Sequence, residues 1–314
     1  MKTLQAAVIG HIAKQVLQRN STFQAAGITS RGIFLQPPND FTLYATTGKF
    51  RGPLTLNIEG EKADLTRLLP KSDVVLEGDR LVIEQGGITF SLQNSLLWEP
   101  PEPPVHSRQT KTQIAKVVQT PASFFPEHPY LTLLEFAAGS GPETLKDIPG
   151  LEHRLSTLPS SLDRGDPASI LTSLKELLGA GPGLTPLGDD LLQGILLAFN
   201  RSKKRSSGWQ EEAELPERLL AAARGATTTL SWSLLSCSAQ GSADERIIQV
   251  LDGLLASREI PDLKSFKGFD PFLISWQRYT LRLRLPIGCS PAGPVPICND
   301  DVLHSAIGRH SDGF

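Results

Sequence analysis

Residues 179–190 combine the residue types and spacing best suited to chemistry in this chain. They read Gly-Ala-Gly-Pro-Gly-Leu-Thr-Pro-Leu-Gly-Asp-Asp and lie between two segments whose apolar residues have helical spacing. Glycine loses more backbone freedom on folding than any other residue, so a glycine-rich run needs a reason, such as a tight turn or a close approach. Because this run leads into a helix, we expect its amides and the helix dipole to favour an anion.

The two acids that close the segment are candidate catalytic residues. Asp189 or Asp190 could orient a substrate amine, accept a proton or hold a metal. Adjacent side chains project about 100° apart on a helix, so one of the two is expected to face a site. Thr185 would cap the helix, with Pro186 as its first residue. The predicted substrate-binding residues of the loop are Gly179, Gly181, Gly183, Thr185 and Gly188.

A second interpretation of this segment is purely structural. A connector between two packed helices also needs glycine where the helices approach closely. The segment lacks the Gly-Lys-Ser/Thr of a Walker P-loop, and no strand precedes it as a dinucleotide fingerprint requires. It is richer in glycine and proline than a connector requires. Both interpretations therefore stay open from these residues alone.

Composition narrows the classes of partner and cofactor. The 314 residues carry a formal charge of −2, which gives no basic field for nucleic acid. Three cysteines and six histidines show neither a disulfide framework nor metal-ligand spacing, so we predict no metal site, and the sequence leaves the cofactor unknown. Cys237 is expected to be a small buried hydrophobe in a helix. No apolar run reaches about 18 residues, so we expect a cytoplasmic protein without a membrane partner.

The first half of the chain has the alternation of strands. An amphipathic helix is predicted at the N-terminus from Ala7, Val8, Val16 and Leu17, and a short helix is predicted over 61–69. Between and after them we expect an antiparallel meander or barrel with hairpin turns. The predicted strands are 41–46, 54–59, 74–76, 81–83 and 88–92, and the predicted turns are 77–80 and 86–87.

The second half has the period of helices. A proline-rich stretch at 100–104 separates it from the strands and is typical of an extended spacer. We therefore predict an α+β protein with a β-rich antiparallel N-terminal domain, residues 1–100, and an α-helical domain, residues 105–314. The tail after about residue 279 has no assignable pattern. Apolar stripes predict helices within 170–178, 187–199 and 247–255, and further helices are predicted over 219–224 and 230–235.

The segment from Gly179 through the Asp pair to Leu-Leu-Gln-Gly resembles the signature of the AllH-like proteins, whose namesake is associated with the oxamate carbamoyltransferase of allantoin breakdown. The resemblance extends more weakly to 226–231 and the β-rich half. It implies a reaction between oxalurate and phosphate that gives oxamate and carbamoyl phosphate, or the reverse, and it implies further subunits. It also implies that one or two of the hydroxyls of Thr227, Thr228, Thr229 and Ser231 face the loop and bind substrate, and we select Thr228 and Ser231. Such hydroxyls also cap helices or bond back to carbonyls.

The resemblance leads to a functional expectation with one alternative. We expect a carbamoyltransferase-like subunit that acts on small anionic substrates, with loop amides neutralising the anion and Asp189 or Asp190 positioning the reacting nitrogen. The alternative is a non-catalytic assembly or regulatory subunit whose loop packs on a partner protein. A Gly/Ser/Gly-Asp segment typical of the family near its C-terminus has no match in 284–293.

Overall fold

The computed structural model describes residues 1–29, 31–60, 65, 69–104, 154–155, 157–158, 160–161, 166–181, 183–202 and 214–256. The strands lie within residues 2–98, and all but one of the α-helices in the described ranges lie within residues 167–256. The strands are β1 (Lys2–Gly10), β2 (Thr22–Ile28), β3 (Gly32–Gln36), β4 (Leu43–Thr46), β5 (Thr55–Ile58), β6 (Asp73–Glu77), β7 (Arg80–Ile83), β8 (Ile88–Ser91) and β9 (Leu96–Trp98). The helices are α1 (His11–Arg19), α2 (Pro167–Glu176), α3 (Leu187–Ser202), α4 (Leu215–Ala223), α5 (Thr229–Ala239) and α6 (Glu245–Ala256).

The N-terminal sheet closes on itself as a barrel. Its strands pair in the order β5-β4-β3-β2-β6-β7-β8-β1, and β1 also pairs with β5, which joins the two ends. Strand β9 adds to β1 outside this ring of eight. The pairs β1–β8, β1–β9 and β4–β5 are parallel, and the others are antiparallel. The predicted antiparallel N-terminal sheet is therefore wrong: the barrel is closed and mixed.

Strand β1 explains both the closure and the mixed direction. Its first residues pair with β8, whereas its last residues pair with β5 on one edge and β9 on the other. A register shift between Ala6 and Val8 accompanies this change of partners. A bulge of this kind bends a strand and increases its twist, which helps a sheet to close. Closure pairs the backbone N–H and C=O groups that the two edge strands of an open sheet would leave without partners.

The predicted N-terminal helix is wrong for residues 2–10, which form β1, and holds for α1. Ala7 and Val8, which we placed on a helix, lie on that strand. The strand changes to a helix at Gly10. The backbone packs too closely there for a side chain, since a Cβ on Gly10 would lie 2.2 Å from the carbonyl oxygen of Gly52. The buried face of α1 consists of Ile12, Ala13, Val16 and Leu17.

The strands predicted for the first half are confirmed. The five predicted strands correspond to β4 to β8, and the turn between β6 and β7 pairs Glu77 with Arg80 around Gly78, whose φ is +61°. Most of the helix predicted over 61–69 lies outside the described residues, as do 105–153 and the tail after residue 256.

The helical half packs around a second apolar core. Each of the five predicted helical segments corresponds to a helix, α2 to α6. The core of this half lies between these helices and includes Leu171, Leu174, Leu192, Leu219 and Leu251. Helix α3 packs mainly on α5, which places the Gly-rich loop before α3 beside the start of α5.

Helix α5 also contacts the barrel. Its Ser233 hydroxyl accepts a hydrogen bond of 3.0 Å from the Thr42 amide, and its Trp232 ring stacks on Phe41 at 5.1 Å. The prediction for Cys237 is confirmed: the residue is buried among the apolar residues of the barrel, and burial raises the pKa of its thiol. None of the helices in the described ranges has the length and hydropathy of a membrane-crossing segment.

Candidate functional site

The Gly-rich loop turns the chain sharply between α2 and α3. The φ angles of Gly179, Gly181 and Gly183 are +67°, +97° and +116°, values that favour glycine. A Cβ on Gly179 would also lie 2.5 Å from the carbonyl oxygen of Ala226, in the turn before α5. The loop backbone therefore lies directly against that turn.

Gly188 allows α3 to approach the end of α2. A Cβ at this position would lie 2.0 Å from the Leu177 carbonyl oxygen, and the Gly188 amide donates to the Ala180 carbonyl at 2.8 Å. Any larger side chain would separate the two helices. At this position, therefore, the glycine is explained by close packing of two helices, as expected if the segment is a structural connector.

Helix α3 begins at Leu187, one residue later than predicted from the sequence. The Pro186 carbonyl accepts from the amides of Asp189 and Asp190 at 2.9 and 3.2 Å, so Pro186 precedes the helix. The Thr185 hydroxyl donates to Asp190 Oδ2 at 3.3 Å. Amides at the start of the helix are thus partly used within the chain.

Asp189 lies fully buried at the centre of the site. Its Oδ1 accepts from the Gly179 amide at 2.8 Å, and its Oδ2 accepts from the Thr227 hydroxyl. Burial raises the pKa of this carboxyl, whereas the Gly179 amide and the Thr227 and Ser231 hydroxyls lower it. The carboxylate joins the loop, α3 and the turn before α5.

The Asp190 side chain is also buried, but its hydrogen bonds with Thr185 and Gln193 are to residues close to it in sequence. Its Oδ1 accepts from the Gln193 side-chain amide at 3.0 Å, and its Oδ2 accepts from Thr185. Both carboxylates therefore lie behind the loop surface. Their positions differ as expected for neighbouring residues on a helix.

Thr228 links the first turn of α5 to the loop. Its hydroxyl accepts from the Ser231 amide at 3.1 Å, which caps α5, and donates to the Leu184 carbonyl at 3.2 Å. The buried Ser231 hydroxyl has a different environment. It lies near enough to Asp189 to affect its pKa, but no described group has the distance and angle of a hydrogen bond to it.

The outer rim of the loop is accessible to solvent. Gly183 is exposed, Gly181 is half-buried, and the Leu184 side chain is 61% exposed. No described residue offers a hydrogen-bond acceptor to the amides of Gly181 or Gly183.

The described part of the chain contains no cluster of three or more His, Cys, Asp or Glu side chains that would suit a metal ion.

Gln193 was not predicted to be part of the site, and Thr227 was predicted only as one of four neighbouring hydroxyls, of which Thr228 and Ser231 were selected as substrate-binding residues. The run of three threonines before α5 signals a hydroxyl-rich turn. Which hydroxyl faces the loop depends on the rotation of α5 against α3, and a local pattern does not specify that rotation. Gln193 follows Asp190 by three residues, a spacing at which helical side chains meet.

The fold and the site define a protein with a closed mixed barrel and a helical layer, in which a buried carboxylate fixes a Gly-rich loop. The family model described as oxamate carbamoyltransferase subunit AllH matches residues 177–267. This match confirms the AllH-like resemblance predicted from the sequence, and its range begins just before the loop and includes α3 to α6. No curated protein and no solved structure matches the chain.

Proposed function

We propose that this chain is a subunit of a carbamoyltransferase-type complex and that its Gly-rich loop binds a small anionic substrate. The observation that carries the proposal is the position of the family match, which begins at Leu177 and contains the whole loop. The description of that family names a subunit of oxamate carbamoyltransferase. Partner subunits are therefore part of the proposal.

The substrates in this proposal are oxamate, oxalurate and carbamoyl phosphate. Each carries a carboxylate or a phosphate, which backbone amides bind well when they converge. The amides of Gly181 and Gly183 supply the donors in this proposal, with the Thr185 and Thr228 hydroxyls beside them. The half-buried Gly179 and the buried residues Gly188, Asp189, Asp190 and Ser231 support the rim from behind.

A rigid loop suits this chemistry for a physical reason. Donors that are fixed before the substrate arrives need no reorganisation when charge develops in the transition state. The contacts of Asp189 with Gly179 and of Thr228 with Leu184 support such preorganisation, because the first ties the loop to α3 and the second ties it to the turn before α5. In this proposal the two aspartates act by positioning the loop and do not contact the reacting nitrogen.

A charge placed at the rim tests the proposal. Leu184→Glu adds a negative charge beside the rim amides, and Leu184→Gln is its neutral control of the same shape. We expect the Glu variant to weaken oxamate binding roughly fivefold, about 1 kcal/mol, and the Gln variant to bind as the wild type does. Calorimetric titration of the purified chain measures both. Equal affinity of the two variants, or no binding of any of the three ligands to the wild type, would contradict the proposal.

The exposed Leu184 side chain also favours a second candidate function. An apolar side chain that is 61% exposed at the tip of a loop suits a contact with a partner protein. In this alternative the chain is a non-catalytic assembly or regulatory subunit. Co-expression with the remaining subunits of an oxamate carbamoyltransferase distinguishes the two. Both Leu184 variants would impair co-purification if the loop packs on a partner, because both place a polar group in an apolar contact.

A further inference from the structure

The loop is tied to the turn before α5 by Thr227, a side chain to which the proposed function gives no role. The Thr227 hydroxyl donates to Asp189 Oδ2, and Asp189 Oδ1 accepts from the Gly179 amide at 2.8 Å. These contacts form a continuous path from the turn through α3 to the first glycine of the loop. We infer that Thr227 is a positioning residue: it orients the Asp189 carboxylate, which holds Gly179 and keeps the loop in its binding shape.

The backbone around Thr227 supports this role. The preceding residue, Ala226, places its carbonyl oxygen 2.5 Å from where a Gly179 Cβ would lie. The following residue, Thr228, donates to the Leu184 carbonyl at 3.2 Å. Ala226 thus lies against the loop at Gly179 and Thr228 at Leu184, while Thr227 between them reaches the loop through Asp189. These contacts restrain the loop relative to the turn.

Among the described residues, Thr227 is the side chain whose hydroxyl donates a hydrogen bond to Asp189. The neighbouring Ser231 hydroxyl lies close, but no hydrogen bond of good geometry forms between it and any described group. Among the described residues, no charged group contributes to the pKa of Asp189, whose neighbours are Gly179, Thr227 and Ser231. Loss of the Thr227 hydroxyl therefore removes a large part of what stabilises the ionised carboxylate.

The test compares three threonine variants by NMR of the full chain. Thr227→Val removes the hydroxyl at nearly constant shape, Thr227→Ser retains it, and Thr229→Val makes the same change at an exposed position two residues away. The Gly179 amide resonance follows the ionisation of Asp189, so its pH titration reports the pKa of that carboxyl. A residue that only fills space would not move this midpoint.

The expected result has two parts. In Thr227→Val the midpoint moves upward, and amide hydrogen exchange in the loop accelerates about tenfold or more while exchange in the barrel strands is unchanged. Thr227→Ser and Thr229→Val stay close to the wild type in both measurements. An unmoved midpoint in Thr227→Val, or a serine variant that behaves like the valine variant, would overturn the inference.

The inference rests on the proposed function only for what the loop binds. If the wild type binds none of oxamate, oxalurate and carbamoyl phosphate, the proposed function fails, while the exchange and titration data still decide the role of Thr227. Should Thr227→Val not fold, Thr227→Ala removes the same hydroxyl and supplies the decision. In Asp189→Asn the Gly179 resonance must lose its titration, and a resonance that still titrates would contradict the path through Asp189.

Discussion

Asp189 departs furthest from what its residue type leads one to expect. Aspartate is usually exposed, yet this side chain is fully buried and bridges two segments far apart in sequence. Burial raises the pKa of its carboxyl, and the hydrogen bonds from Gly179 and Thr227 offset only part of that effect. Ionisation of this carboxyl therefore costs stability, and its two donors reduce that cost.

Substitutions at Asp189 separate its charge from its hydrogen bonds. Asp189→Ala leaves the Gly179 amide and the Thr227 hydroxyl without an acceptor and should lower the free energy of unfolding by roughly 1–3 kcal/mol. Asp189→Asn retains an acceptor without the buried charge and should be milder. Urea unfolding at neutral pH measures both, and an alanine variant as stable as the wild type would contradict the bridging role.

The pH dependence of stability follows from the direction of the Asp189 pKa shift. A folded pKa above the unfolded one means that the protonated form is favoured by folding, and this contribution is lost as pH rises through the folded pKa. Lowering the pH through that value should therefore stabilise the wild type relative to Asp189→Asn, which does not titrate there. Unfolding curves of the two proteins over a pH series check this, and a constant difference would refute it.

The sequence predicted part of this site at the residue level. The spacing of Asp189 and Asp190 correctly indicated that they point in different directions. Their partners were not predictable, because Thr227 meets Asp189 across 38 residues through the packing of α5 on α3. Contacts between elements depend on rotations and offsets that a local sequence pattern does not encode.

At the scale of elements, the turn from α2 into α3 is the tightest part of the site. The Gly188 backbone lies against the Leu177 carbonyl, and the loop glycines adopt positive φ angles. Helices α2, α3 and α6 were predictable because each has an apolar stripe of period 3.6. Strand β1 was not, because the apolar run from Ala6 to Ile9 suits either a strand or a helix.

Gly188→Ala tests the close approach of these two helices. The added methyl group would lie 2.0 Å from a backbone oxygen, which cannot rotate away, so we expect a loss of roughly 1–3 kcal/mol in stability. Gly27→Ala is the matched control, since its methyl would lie 3.4 Å from a Phe34 side-chain atom. Thermal unfolding of both variants gives the comparison, and equal melting temperatures would argue against the close contact.

At the scale of the whole molecule, the barrel and the helices share side chains across their contact. Cys237 of α5 is buried with the barrel residues, and Arg51 of the barrel pairs with Glu245 at the start of α6. Barrel closure was not predictable from alternation alone, because it depends on the pairing of β1 with β5 across about fifty residues. The domain boundary near 100–104 stays a prediction.

Arg201 connects α3 to the proline-rich segment and to α6. Its guanidinium binds the Asp252 carboxylate at 2.6 and 2.7 Å and donates to the Pro101 carbonyl at 3.0 Å, while its side chain is 2% exposed. Arg201→Met should lower the unfolding free energy by about 3 kcal/mol, because it leaves a partly buried carboxylate unpaired. Arg19→Met, at an exposed pair with Asp40, should cost under about 1 kcal/mol. Similar losses in both variants would contradict this ranking.

The binding of an anion at the loop rim is tested most directly by NMR of the glycine amides. Addition of oxamate should shift the resonances of Gly181 and Gly183 in a saturable manner. The resonances of Gly78 and Gly87, in hairpin turns of the barrel, should stay in place. If Gly181 and Gly183 move no further than these two barrel glycines, oxamate does not bind at the rim and the central claim is wrong.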